Sequence, residues 1–230
     1  MSRRRYVDLN VRPPAGEAEP MLREAKSLGY STVAISGPNK ACLEGLDIVT
    51  RVDLAPRRGS ELLDTLHRVR GSYEVVAVDC RTKEAARQAA RDHRVDVLTF
   101  PTDPTLRREV RLDSQEAELA EEGGCSVEFN ISSLLDSSEA ALPKLISQIR
   151  RDASVAERHE IPIILASGAR SAYGLREPKA ITALAELFDI DEDRATEMVS
   201  KNPTRIIEKN RLRLSPLYIG EGVRRLDDAS

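Results

Sequence analysis

Seven short apolar runs recur along the chain, each followed by a stretch with helical spacing, and this alternation limits the fold more than any other feature. The runs cover residues 6–10, 32–36, 47–53, 74–79, 95–100, 125–130 and 161–166. Most are continuous rather than alternating, as strands covered on both faces require. Helices are predicted over 20–28, 39–45, 60–70, 82–92, 113–122 and 138–160, and beyond the last run over 178–188, 191–199 and 202–210. Strands that alternate with helices pair in parallel through right-handed crossovers, which leaves a doubly wound sheet or a barrel. Seven such units use most of the 230 residues, and no second domain is visible, which favours the barrel. The expected architecture is an α/β, TIM-barrel-like, distorted (β/α) barrel of about seven parallel strands with extra C-terminal helices. It forms a single domain over residues 1–210, followed by a polar tail at 211–230. Residues 107–112 could add an irregular eighth strand.

Local signals support the helices. Thr82 can cap a helix whose packing face is Ala85, Ala86, Ala89 and Ala90. In the longest segment Leu142, Leu145, Ile146, Ile149, Ala153 and Ala156 follow i, i+3, i+4, i+7 spacing, so Pro143 must lie in its first turn or kink it. Gly29, Gly45 and Gly71 stand where helices are expected to end.

Composition excludes several functions. Hydrophobic residues are 40% of the chain, enough for a packed core, and charged residues are 32% but cancel to −3. No global field draws in nucleic acid, so any such binding needs a local patch. No apolar stretch approaches the 18 or so residues of a membrane span, and no apolar run follows the arginines of residues 1–5, so neither a span nor a signal peptide is expected. Cys42, Cys80 and Cys125 are far apart with no Cys-x-x-Cys. Neither a disulfide framework nor a zinc site is expected, and a reducing cytoplasm is the expected compartment.

In a (β/α) barrel, function sits at the C-terminal ends of the strands. Those positions hold Asp8, Asn10, Ser36, Asp53, Asp79, Thr99, Asn130 and Ser167. Carboxylates around one rim could bind a metal or do acid–base work; equally, such residues cap the helices that follow strands. His67, His93 and His159 all fall near the C-terminal ends of predicted helices. None is placed at a strand end, so neither a His-rich metal centre nor a Ser-His-Asp triad is available. No Gly-x-Gly-x-x-Gly or Walker motif occurs. Ser167-Gly168-Ala169-Arg170 follows the last strand, where barrels often hold a phosphate. Cations cluster at Arg3, Arg4, Arg5 and Arg12, at Arg107, Arg108 and Arg111, and at Lys201, Arg205, Lys209, Arg211 and Arg213. Residues 113–122 and 186–197 are acidic. Such a mosaic is either a solvated surface or a set of contacts for RNA phosphates and a basic partner. Aromatic residues are 3% with no Trp, so base stacking is not the main recognition mode.

The segments Ile161-Pro-Ile-Ile-Leu-Ala-Ser-Gly-Ala169 and Gly174-Leu-Arg-Glu-Pro178 resemble the signature of the ribonuclease P protein component 3 family. Asn202-Pro-Thr-Arg-Ile-Ile-Glu-Lys-Asn210, Val127-Glu-Phe-Asn-Ile-Ser-Ser-Leu-Leu135, Tyr6-Val-Asp-Leu-Asn10 and Val95-Asp-Val-Leu-Thr-Phe100 continue the resemblance, which runs from residue 6 to 210. The family resembles the barrel of the polymerase and histidinol phosphatase superfamily, whose enzymes carry His-x-His after the first strand. Here that place reads Asp8-Leu9-Asn10, as in a barrel whose metal site is lost. The resemblance implies a non-catalytic subunit of the ribonucleoprotein that removes the 5′ leader from precursor tRNA. It implies that the RNA carries the catalytic Mg²⁺ ions while the protein binds no cofactor. It further implies pairing with component 2 of that enzyme, as a heterotetramer of two copies each, beside the other protein subunits. Arg176, in the matching motif, is the leading candidate RNA contact, with Arg107, Arg170, Lys201 and Arg205 beside it. Two other classes remain to be distinguished: a free-standing metal-dependent phosphoesterase, and a sugar-phosphate enzyme using Ser167 and Gly168.

Overall fold

The computed structural model describes residues 5–38, 41–216, 218–220 and 223–224. In chain order the elements are β1 (Val7–Val11), α1 (Ala18–Ser27), β2 (Thr32–Ser36), β3 (Asp47–Leu54), α2 (Gly59–Val69), β4 (Val75–Asp79), α3 (Lys83–Ala90) and β5 (Val97–Thr99). There follow α4 (Leu106–Glu109), α5 (Ser114–Gly123), β6 (Ser126–Asn130), α6 (Ser132–Leu135), α7 (Leu142–Arg158), β7 (Ile163–Ala166), α8 (Pro178–Leu184), α9 (Glu192–Met198) and α10 (Lys201–Leu214). A short hairpin, β8 (Tyr218–Gly220) and β9 (Val223–Arg224), comes after them.

Strands β1 to β7 pair in sequence order, all parallel. The sheet curls until β1 and β7 meet, and the seam is stitched at its upper end. Gly168 N donates to Asn10 O at 3.0 Å, and Arg12 N to Ala169 O at 2.8 Å. The result is the distorted TIM-like barrel expected from the alternation.

Side chains alternate across each strand, and the inward set splits into two layers. Val7, Leu9, Ala34, Val49, Val75, Ala77, Val97 and Ile164 fill the lower barrel, and Ile207 of α10 packs into them from below. The upper inward positions are polar, Arg51, Asp53, Glu128 and Asn130 among them. A larger apolar cluster joins the outer strand faces to the helices. α10 closes the N-terminal end: Asn202 Nδ2 donates to Ile163 O, Asn210 Nδ2 to Asp96, and Arg211 grips Asp47 and Glu74.

Local signals act as their chemistry dictates. Thr82 accepts from Ala85 N at 3.2 Å to cap α3, Pro143 lies in the first turn of α7, and Gly29 ends α1 with φ +94°. Several expectations are corrected. Residues 107–112 form no strand: four residues, Leu106–Glu109, make the helix α4, started by Asp103, whose carboxylate takes Thr105 N and Leu106 N. No helix forms over 41–45, where a Leu43–Leu46 bridge closes a turn instead; residues 39 and 40 lie outside the described residues. Gly71 is not left-handed. His93 lies in the turn after α3 rather than in a helix. α10 continues to Leu214, beyond the boundary expected at 210. Arg3 and Arg4 of the basic N-terminus and residues 225–230 of the tail lie outside the described residues. Among the described residues no helix is long and apolar enough to cross a membrane.

Candidate nucleic-acid interface

The upper barrel is built around one guanidinium. Arg51 has no exposed surface and its alkyl stem rises from the middle of β3. Nη1 and Nη2 meet the two Glu128 oxygens at 2.5 and 2.9 Å, Nη2 meets Asp53 Oδ1 at 2.8 Å, and Nη1 donates to Leu9 O at 2.7 Å. Glu128 also accepts from the Asn10 and Asn130 side-chain amides at 2.8 and 3.0 Å. Asp53 accepts from Arg12 at 3.2 Å and from the Ser36 hydroxyl. Burial disfavours the Arg51 cation, but Glu128 and Asp53 outweigh it and hold its pKa above the ordinary value. Burial likewise opposes ionisation of Asp53, and Arg51 and Arg12 beside it still keep its carboxyl below the usual range.

This arrangement does not fit a metal ion. Guanidinium N–H groups already occupy the carboxylate lone pairs that a divalent cation would need, and a second positive charge between them would meet Arg51 at close range. Among the described residues no three His, Cys, Asp or Glu groups are placed to share a metal.

Asp8 closes the seam. Its Oδ1 accepts Asn10 N at 3.2 Å and Ser167 N at 3.1 Å, while Oδ2 has no hydrogen-bond partner. Burial raises its pKa from 3.8 to about 6, against the pull of the Ser167 and Asn10 hydrogen bonds and with help from the Glu128 charge. The folded value lies above the unfolded one, so the native state holds this proton more tightly. Stability from this group is therefore greatest below pH 4, falls as Asp8 ionises between about 4 and 6, and levels off above. Urea unfolding of wild type and Asp8→Asn across pH 4 to 8 is expected to differ in slope over that window, by about 2–3 kcal/mol in total. Parallel curves would remove Asp8 as the cause.

Above the network lies an open cleft of about 410 Å³ lined by Arg12, Asp79, Arg81, Thr99, Asn130, Ser132, Ser133, Gly168 and Arg170, among others. Gly168 stands at φ +63°, and a Cβ there would sit 2.5 Å from Ser132 Oγ, so only glycine lets β7 turn this tightly beneath the cleft. Arg81 pairs with Asp79 at 2.7 Å and Arg12 with Asp53, whereas Arg170 is exposed and has no ion pair among the described residues.

The five candidate RNA contacts do not form one site. Arg170 and Arg176 lie at the C-terminal end of the barrel. Arg176 Nη1 donates to Tyr173 O at 2.6 Å and to Leu175 O at 2.7 Å, so its head holds its own loop. Lys201 and Arg205 stand on α10 at the opposite end, Lys201 paired with Glu197 at 2.8 Å. Arg107 is corrected outright as a surface contact. It is 3% exposed, and its guanidinium is spent on Asp152 at 2.8 Å and on Pro101 O at 2.8 Å. Two residues of the acidic stretch are also used internally: Glu116 is buried between Lys83 and Arg87, and Asp113 caps α5, while Glu118, Glu121 and Glu122 are exposed. Arg51, Arg12 and Arg81 were not among the candidates. Arg51 and Glu128, opposite charges at the inward phase of two buried strands, were the signal that could have exposed the network.

Fold and site together define a (β/α) barrel whose upper interior is filled by an ion network beneath an open cleft, with cationic groups exposed at both ends. The chain belongs to the RNase P subunit p30 family, whose pattern it matches over residues 5–215. It is 31% identical to ribonuclease P protein component 3 of Methanococcoides burtonii, over 97% of this chain and 95% of that one. To the protein of the same name from Methanosarcina mazei it is 28% identical, over 93% and 91%. Its fold is similar to a chain in the cryo-EM structure of archaeal ribonuclease P with mature tRNA, with a TM-score of 0.81, 17% identity, and coverage of 97% of this chain and 99% of that one.

Proposed function

We propose that this chain is a protein subunit of ribonuclease P, and that it binds and shapes the RNA while the RNA performs cleavage of the precursor tRNA 5′ leader. The observation that carries this is the match to one family across nearly the whole barrel. The ion network of the mouth supports a non-catalytic role, because Arg51 fills the space and the lone pairs that a hydrolytic centre would use. A free-standing phosphoesterase is less well supported for the same reason. The Mg²⁺ ions of the reaction belong on the RNA in this reading, and the protein itself takes no cofactor. Its protein partner would be component 2 of the enzyme, two copies of each forming a heterotetramer, and its compartment the cytoplasm.

Neutralising phosphates lets RNA helices approach one another, and it makes binding strongly salt-dependent. Arg170 at the mouth and Arg205 on α10 are both exposed and have no ion pair among the described residues, so they are the foremost phosphate contacts. Arg176 positions the loop that carries Arg170, and Lys201 would have to leave Glu197 to reach RNA. Leader cleavage reconstituted with and without the chain tests the function, and omission is expected to reduce cleavage at physiological salt. Arg170→Ala and Arg205→Ala should each lower the slope of log affinity against log salt by about 0.7–0.9. Cleavage indifferent to the chain would overturn the proposal.

A further inference from the structure

Among the Phe and Tyr side chains, all of which lie in described residues, only Tyr173 is exposed. It is 93% exposed, whereas Phe100, Phe129, Phe188 and Tyr30 are core residues. An aromatic ring held in water contributes nothing to the stability of this fold, yet its backbone is held firmly. Tyr173 lies in a 3-10 turn, Ala172–Gly174, closed by Gly174 N on Ser171 O at 3.0 Å and Leu175 N on Ala172 O at 3.1 Å. Arg176 clamps the carbonyls of Tyr173 and Leu175 from one side. Its own carbonyl accepts from the buried Tyr30 hydroxyl at 2.9 Å, and Leu175 and Pro178 on either side are buried. The turn packs back on Ala169, whose Cβ leaves only 3.3 Å to a Cβ at Gly174. The ring is thus presented on a rigid base, so little backbone entropy is lost when something covers it.

We propose that Tyr173 is a stacking platform for one unpaired RNA base, with Arg170 and the cleft beside it taking the adjoining phosphates; this rests on the RNA-binding function proposed above. Arg170, three residues away, begins the same loop and faces the cleft together with Arg12 and Arg81. A duplex hides its base faces within the stack, so the ligand is a nucleotide of a loop, bulge or single strand. An exposed ring beside cations that can hold phosphates is the combination used for single strands. A protein partner would instead need apolar surface around the ring, and its own loop exposes Arg170 and Ser171, with Ala172, Gly174 and Arg176 half-buried and Leu175 buried.

The chain has no Trp, so Tyr173→Trp provides a single indole reporter at the platform. In the full chain, assembled with its partner proteins, its fluorescence should be quenched on adding ribonuclease P RNA or precursor tRNA, and separate titrations identify which one supplies the base. Tyr173→Phe should bind like wild type, while Tyr173→Ala and Tyr173→Leu should raise the Kd for that RNA by roughly five- to a hundredfold. Leu keeps apolar area but cannot stack, so wild-type affinity in the Leu variant overturns stacking. Quenching by the partner proteins before any RNA is added also overturns it, in favour of a protein contact. If Arg170→Ala weakens RNA binding while the indole of the Tyr173→Trp chain keeps constant fluorescence as RNA is added, the platform fails alone. If the assembly binds RNA no better with the chain than without it, the underlying function fails as well.

Discussion

Replacing Arg51 by Met is expected to destabilise the protein by at least about 3–5 kcal/mol, because the two carboxylates that the guanidinium neutralises stay behind. Arg51 and Glu128 both have no side-chain exposure, and Asp53 is only 20% exposed, so water cannot take the place of the lost cation. For a chain of this size the midpoint of thermal unfolding should fall by roughly 10 °C or more. Adding Glu128→Gln to Arg51→Met removes one of the stranded charges and should recover part of the loss. A single variant within about 1 kcal/mol of wild type would show that the network is not what holds the upper barrel together.

Arg107→Ala is expected to act on stability and not on RNA. Its partner Asp152 is fully buried on α7, and removing the cation hydrogen-bonded to it, with only Arg151 left at 3.7 Å, should destabilise by up to about 3–5 kcal/mol. Replacing both residues by apolar ones of similar size, Arg107→Met with Asp152→Leu, should restore most of it, since a buried ion pair is often no better than good packing. The salt dependence of RNA binding, measured where the variant is still folded, should match wild type. A reduced slope with unchanged stability would return Arg107 to the RNA contacts.

The barrel was legible because its strands are buried on both faces and therefore read as unbroken apolar runs. β2 was recovered with its observed limits, and the other strands differ by one or two residues at one or both ends. Pro143 and Thr82 were legible because each has one favoured place in a helix. The site was less so. Arg107 and Arg170 look alike in sequence, both cationic and both beyond a strand. Only the packing of α7 against the loop after β5 decides that one is buried on an aspartate and the other is free. Arg176 was the leading candidate RNA contact, but its hydrogen bonds run to Tyr173 O and Leu175 O of its own loop. Lys201 and Arg205 were grouped with it by charge, and no local signal shows that α10 crosses the opposite end. Asp8 and Asn10 were read as remnants of a metal site. The cation between the strands was missed because Arg51 and Glu128 are 77 residues apart, and only their shared inward phase on two buried strands links them in the sequence.

The closure of this barrel joins parts of the chain that are made far apart in time. Asp8 and Ser167 are separated by 159 residues, and Val7 N bonds to Val199 O across the lower rim. During synthesis β1 has only one neighbouring strand until β7 has emerged. The lower opening stays unsealed until Ile207 arrives, and Arg51 has no Glu128 until β6 is made. A nascent chain of this protein therefore carries an open sheet edge and an unpaired internal cation through most of its translation. The other six strand pairings join consecutive strands, so the seam alone carries the entropic cost of a long loop, and its closure is expected to be the late step of folding.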